Sequence, residues 1–366
     1  MLVLHAAGTG AADLVGEGDA GLELVARLGS LADPESMTRP IGLEGLDIAK
    51  AIAFLGDMLL IRTAEEILAE KRAAGLIGGP IHLGVGQEAI AVGVSSCLEV
   101  GDAVYGAHRS HAHLIALGSP LRNLFSEVLG RDTGVSRGMG GSMHLWDESV
   151  GFFGSVPIVA GTVPLAVGAG LASRMRGNDN VGVAYLGDGA VEEGVVHESF
   201  NLAQVTGAQV LFVVENNFFA SHMHISQRQS SDSTARFATA NGLPSKVVDG
   251  NDVVAVSSAC ASLLAGIRQG SGPALIEAVT YRWYGHVDWR DDIDVGVNRS
   301  AEELTSWRRR DPVARLEDAL ARHGSWNEKS GRQLRNDLRT AAEAAWAQAV
   351  DDPFPPDSAL IDWVYA

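Results

Sequence analysis

Residues 184–217 read AYLGDGAVEEGVVHESFNLAQVTGAQVLFVVENN. An apolar run stops on Gly187, Asp188 and Gly189, a helical pattern follows, and a second apolar run ends on Asn216 and Asn217. Strand, helix and strand joined by short turns make a βαβ unit, whose strands are parallel and whose connection is right-handed. Parallel strands deliver their last residues to one edge of the sheet, the edge at which open α/β sheets bind ligands. On this reading Asp188 and Asn217 converge there. A carboxylate and a carboxamide oxygen make a hard, incomplete oxygen site that suits Mg, which keeps positions for water and phosphate. A helix expected from about Val191 would aim its free amides at the same anion, with Glu192 and Glu193 turned away. Taken alone, residues 184–194 read sooner as a tight turn with a helix-capping aspartate.

Working outward, the rest of the chain suits an α/β reading. Its 366 residues are 46% hydrophobic and 20% charged, with a formal net charge of −17, which argues against nucleic acid or an anionic membrane as partner. Cys97 and Cys260 are the only cysteines, so disulfides are not the scaffold and a reducing, cytoplasmic setting fits. Residues 1–40 are rich in Gly, Ala and Asp and read as a flexible arm. Residues 149–173 lack charge over a membrane-spanning length, but Pro157, Pro164 and five glycines interrupt the helix that a bilayer demands. A buried loop and then a core helix from Pro164 is expected, with Gly168 and Gly170 pressing on a neighbour. Helices are expected over 46–74, from Gln87, and repeatedly over 301–350; strands are expected at VLFVVENN and PALIEAVTYRW. The sum is one doubly wound parallel-sheet domain over 41–366, with peripheral N- and C-terminal helices and a helical extension from about 300.

HRSHAH places His108, Arg109, His111 and His113 together. Strand-like alternation would put Arg109 and His111 on one face, with His108 on the other. Arg109 suits a bidentate diphosphate clamp, and His111 a proton donor to a substrate oxygen. YRWYGHVDWRDDIDVG begins as a strand and becomes an acidic, solvated loop. His82, His144, His222 and His224 are each as well explained by packing or a surface loop as by the site.

GDG, then a helix, then ENN resembles the thiamine diphosphate-binding motif. Around it stand, in order, HLGVGQEAIAVG, AHRSHAHLIALG, GRDTGVSRGMGGSMHL, PLAVGAGLA, YRWYGH and DDPFPP. The set resembles the α chain of the decarboxylating component of 2-oxo acid dehydrogenase complexes, including acetoin dehydrogenase, from about residue 45 onward. The resemblance implies a thiamine diphosphate-binding fold, with Mg held by Asp188, Asn217 and the carbonyl of Phe219. It implies that Gly189 and Ala190 meet the diphosphate, that Val159 meets the aminopyrimidine, and that His108, Arg109 and His286 belong to the cofactor site. His111 and His286 are implied as catalytic. Phe219 replaces the usual Tyr, GSVPIVAGTVP departs from the common GNGIVG form, and His108 stands where pyruvate-type chains often carry Tyr. Val287 replaces the phosphorylatable Ser of mammalian members.

No acid that could face the aminopyrimidine is evident. The resemblance therefore implies a separate β chain in an α2β2 assembly, with a lipoyl acyltransferase receiving the acyl group and a 2-oxo acid or acyloin as substrate. Non-oxidative carbon–carbon bond formation and a non-catalytic paralogue are the alternatives.

Overall fold

The computed structural model describes residues 27–290, 293–294 and 299–362; most of the expected N-terminal arm, residues 1–26, lies outside them. Helix α1, Ile48–Ala73, starts where the Asp47 carboxylate accepts from the Ala49 amide (3.1 Å) and ends before Gly75, whose φ is +76°. Then come α2 (Glu88–Ser95), β1 (Ala103–Gly106), α3 (His111–Ala116), α4 (Leu121–Val128), β2 (Phe152–Ser155) and α5 (Val163–Arg176). Proline in the first turn of α5 costs no hydrogen bond. The βαβ unit follows as β3 (Gly182–Gly187), α6 (Gly194–Thr206) and β4 (Val210–Asn216). A hairpin, β5 (Phe219–Ala220) and β6 (Met223–His224), precedes α7 (Ala235–Ala240), β7 (Ser245–Asp249), α8 (Val253–Arg268) and β8 (Ala274–Val279). Helices α9 (Ala301–Arg308), α10 (Pro312–Arg322) and α11 (Glu328–Asp351) form the C-terminal extension.

Six strands make a parallel sheet in the order β2-β1-β3-β4-β8-β7. Alternate residues feed opposite cores. Val183, Tyr185, Leu211, Val213 and Ile276 pack with α1, α2, α8 and α10, whereas Ala184, Leu186, Phe212, Val214 and Leu275 pack with α5, α6 and α7. Both faces being covered, β3 and β4 read as continuous apolar runs. Of the two glycines expected to press on a neighbour, Gly170 does: a Cβ there would lie 2.4 Å from the Gln209 carbonyl, while one at Gly168 would meet nothing within 4 Å. Among the described residues no helix is long and apolar enough to cross a membrane.

Three local expectations are corrected. Residues 190–192 form a single 3-10 turn and Glu193 is extended, so α6 begins at Gly194 rather than near Val191. Strand β8 stops at Val279, and beyond it the Trp283 amide bonds to the Val85 carbonyl (3.0 Å) instead of a neighbouring strand. The HRSHAH segment is not a strand. Chain pairing ends at Gly106, where a Cβ would lie 2.1 Å from Ser110 Oγ; that hydroxyl donates to the Ala107 carbonyl (2.8 Å), and α3 starts at His111.

Candidate active site

At the carboxyl edge of the sheet, the loops after β1, β2, β3, β4 and β8 enclose a cleft of about 420 Å3. It gathers Asp188, Gly189 and Ala190 from behind β3, and Asn217 and Phe219 from behind β4. His108 and Arg109 follow β1, Val159 follows β2, and His286 follows β8. The topology alone places these residues side by side.

Asp188 is 1% exposed, and burial pushes its carboxyl up to about 6 against the pull of Arg228. Arg228 straps it down, one guanidinium nitrogen on Asp188 and another on Glu192. Glu192 and Glu193 both line the cleft rather than turning away from it; Glu192 is paired with Arg228 and accepts a hydrogen bond from Gln229 Nε2 (2.6 Å). A Cβ at Gly189 would come within 2.5 Å of Ala220 Cβ, so only glycine lets this turn lie against the hairpin.

The two asparagines are sorted by strand alternation. Asn216 is fully buried and its amide donates to Glu277 Oε1 (2.7 Å) and the Asp232 carbonyl (2.9 Å), a structural task. Asn217 faces the cleft; Gln87 Oε1 takes its N–H at 3.2 Å and its Oδ1 accepts the Phe219 amide at 3.2 Å. The turn to Phe219 passes through Phe218 at φ +69°, and Ser221 sits at φ +55°. Bulky residues avoid that region, and such strain concentrates at functional sites. Arg282, buried, ties the hairpin down by donating to the Ser221 carbonyl (2.8 Å) while pairing with Asp294 (2.7 Å). Asp294 is itself buried between Arg282 and Arg299, so this aspartate is not part of a solvated loop.

Three histidines face one another across the cleft. Ring centroids lie 4.8 Å apart for His82 and His108, 5.2 Å for His82 and His286, and 5.3 Å for His108 and His286. Desolvation first, and the Arg109 charge second, lower His82 to about 2 and His108 and His286 to about 3. The imidazoles are therefore neutral and can offer N–H donors to an anion. One nitrogen from each lies within 4.8 Å of the others, spacing that could take a transition metal; the oxygens of Asp188, Asn217 and Phe219 are donors of the kind hard cations favour. Arg109 is buried, donates to the carbonyls of Leu83 (2.6 Å) and His286 (3.2 Å), and is lowered to about 9 by burial and by Arg282, still cationic at neutral pH.

His111 does not line the cleft. It is wholly buried behind the wall, with Nε2 2.8 Å from Ser142 Oγ and Nδ1 3.4 Å from the buried Glu65 carboxylate. His113 stacks on Tyr185 at 3.7 Å and holds Glu215 Oε1 at 3.1 Å, so two lining residues rest on it. His144 bonds its own loop at the Gly140 carbonyl (3.2 Å), His222 pairs with Asp294 (2.9 Å), and His224 stacks on Phe218. None of these three lines the cleft. Gln87, Glu215 and Arg228 were not singled out from the sequence. Glu215 was within reach, because it shares a strand face with Asn217; nothing local marks Arg228.

The model of the dehydrogenase E1 component family matches residues 56–358. The α subunit of the pyruvate dehydrogenase E1 component of Rhizobium meliloti is 37% identical over 83% of this chain and 86% of its own length. The α subunit of the acetoin:2,6-dichlorophenolindophenol oxidoreductase of Bacillus subtilis is 36% identical over 88% of this chain and 96% of its own. The Zymomonas mobilis pyruvate dehydrogenase α subunit is 34% identical, over 86% and 88%. With two acidic or amide oxygens, a buried arginine and neutral histidines converging on one cleft, this chain belongs to the dehydrogenase E1 component family.

Proposed function

We propose that the chain is the α subunit of a thiamine diphosphate-dependent enzyme that decarboxylates a 2-oxo acid, or cleaves acetoin, and passes the acyl unit to a lipoyl partner. The observation that carries this is the convergence of the Asp188 carboxylate, the Asn217 carboxamide and the Phe219 hairpin at one cleft. The donor set fits Mg: Asp188 is buried and already drawn to a cation, the guanidinium of Arg228. Mg would take that place with Asp188, Asn217 and the Phe219 carbonyl, and Gly189 and Ala190 would turn their amides to the diphosphate. Arg109, His108 and His286 surround the same volume and would clamp the phosphate oxygens, with neutral N–H donors beside one fixed positive charge. Val159 would meet the aminopyrimidine.

The bound cofactor would act as the electron sink that lets a 2-oxo acid lose its carboxylate. The chain's own work is to fix that cofactor, to exclude water, and to present His286 and His82 toward the substrate side. His111, behind the wall, would orient the segment carrying Arg109 and transmit its hydrogen bonds to Ser142.

Two of the cleft's acids, Asp188 and Glu192, are held by Arg228, and a third, Glu215, by His113. Ile158 and Val159, 72% and 50% exposed at the rim, lack a covering layer. Both facts support a β chain that supplies the missing acid and the other wall of an α2β2 enzyme in the cytoplasm. The test is co-purification with a β chain, followed by titration with Mg and thiamine diphosphate and an assay of lipoyl acylation from pyruvate and from acetoin. Turnover by the α chain alone, or carbon–carbon bond formation without any lipoyl acylation, would refute the reading.

A further inference from the structure

The two cysteines of this chain stand 163 residues apart in sequence, yet they meet where α2 crosses α8, a place outside the cleft. The crossing is close. At Gly93 of α2 a Cβ would lie 2.8 Å from Val256 Cβ of α8, and Cys97 and Cys260 each follow one helical turn further along. Their contacts are reciprocal. Cys97 Sγ lies 3.3 Å from the carbonyl of Ser257, three residues before Cys260, and Cys260 Sγ lies 3.9 Å from the carbonyl of Val94, three residues before Cys97. Each sulfur thus sits over the backbone turn that carries the other. Cys97 is half-buried and reachable from solvent, whereas Cys260 is wholly buried.

From this juxtaposition we infer that Cys97 and Cys260 form an oxidisable dithiol site, in which Cys97 reacts with a peroxide and Cys260 resolves it to an intrachain disulfide. The surroundings favour Cys97 as the attacking group: the Cys260 thiol, with the hydroxyls of Ser257 (3.5 Å) and Ser96 (3.6 Å), lowers its pKa to about 6. Cys260 is raised, chiefly by Cys97 beside it and by burial, and stays a thiol. Reactive cysteines combine thiolate character, access and a resolving neighbour.

In the first step the Cys97 thiolate attacks one peroxide oxygen, the O–O bond breaks, and Cys97 becomes a sulfenic acid while hydroxide takes a proton and leaves as water. In the second, Cys260 sulfur attacks Cys97 sulfur, the S–O bond breaks, and the hydroxyl leaves as water with the Cys260 proton. Two thiols are oxidised and one peroxide is reduced to two waters. The bond would fasten α2 to α8, and α2 begins next to Gln87, the residue that holds Asn217.

The test treats the full chain, assembled with its β partner, with hydrogen peroxide at neutral pH and reads intact mass and non-reducing peptide maps. The expected result is the loss of two hydrogen masses from this chain, one cross-linked peptide pair containing residues 97 and 260, and full reversal by dithiothreitol. C260S should instead gain one oxygen at Cys97 that dimedone traps, and C97S should resist oxidation at doses that convert the wild type. Wild-type protein that stays reduced, that accumulates two or three oxygens on Cys97 with no link, or that links only between chains overturns the inference, whether or not the variants fold.

Discussion

Asp188→Asn separates a cofactor-binding carboxylate from a merely structural one. Burial lifts the Asp188 pKa from 3.8 to about 6, and a lift of roughly two units corresponds to about 3 kcal/mol of unfavourable ionisation in the folded chain at neutral pH. An amide of the same shape removes that cost. It also takes one partner from Arg228, which keeps Glu192 and, at 3.1 Å, the Met223 carbonyl. The net lift already contains the attraction of Arg228, so the exchange should leave the unliganded chain no less stable than wild type. The variant without ligand should melt at or above the wild-type temperature.

The liganded comparison differs. With Mg and thiamine diphosphate at about 100 times Kd, the wild type gains about 2.7 kcal/mol, a rise of several degrees in Tm for a chain of this size. The variant should gain little, because it trades the one anionic ligand of the proposed set for a second neutral amide, and no ligand charge then offsets the desolvation of a divalent cation. Thermal melts of the α–β complex with and without both ligands read this directly. A variant that keeps the ligand-dependent rise refutes the metal assignment, and one that melts well below wild type before any ligand is added refutes the stated cost of the buried charge.

Asn217→Ala should weaken cofactor binding at least about tenfold, the worth of about 1.4 kcal/mol, with a melting temperature close to wild type. Asn216→Ala should do the reverse, destabilising the fold by about 1–3 kcal/mol as buried Glu277 loses a donor; paired melts and titrations distinguish the two. Because His82, His108 and His286 are held below their ordinary pKa, the unfolded chain binds more protons than the folded one between about pH 3 and 6.5. Stability contributed by these groups therefore falls as pH drops below about 6.5 and is level above it, and melts across that window should show a shallower slope for His82→Asn. Gly106→Ala should destabilise by about 1–3 kcal/mol, since its methyl would sit 2.1 Å from Ser110 Oγ; urea midpoints at wild-type level would contradict the turn geometry. Arg62→Met leaves Glu88, which is wholly buried and bonded to Arg62 at 2.5 and 3.0 Å, without its cation. The expected loss is about 3–5 kcal/mol in denaturant unfolding, and a loss under about 1 kcal/mol would contradict it.

What the sequence discloses depends on how far a residue's environment lies from it along the chain. Asp188 and Asn217 were legible because one βαβ unit fixes both strand ends, and periodicity shows the unit. The same alternation, applied to HRSHAH, fails: Gly106 leaves no space for the strand to continue beside Ser110, and the hydroxyl of Ser110 closes a turn. Arg228 reaches Asp188 from 40 residues away, the two cysteines meet across 163, and Glu65 reaches His111 from 46; no short window of sequence contains both partners. The acidic loop was misread at Asp294 for a different reason: Arg282 and Arg299 lie in the same segment, but composition does not show that the chain folds back to bury the carboxylate between them.

The remaining ambiguity has a different physical origin. GSVPIVAGTVP was the segment least like its counterparts, and it is also where Ile158 and Val159 stand exposed at the rim of the cleft. The apolar exposure continues onto α5 and α6, at Leu165, Met175, Leu202 and Val205, which are 49–81% exposed. A residue's pattern can be decoded from its own chain only when that chain buries it. Apolar groups left facing outward in a run mark a surface that another chain is expected to cover, so their identities answer to a partner's shape. On the proposed α2β2 reading, the substrate pocket is completed at this rim. The acyl donor is then selected by two chains jointly, and exchanging Ile158 for a smaller residue should change substrate preference only in the assembled enzyme while leaving Mg and thiamine diphosphate affinity largely as it was. A substrate preference that ignores the rim would place the selecting groups elsewhere.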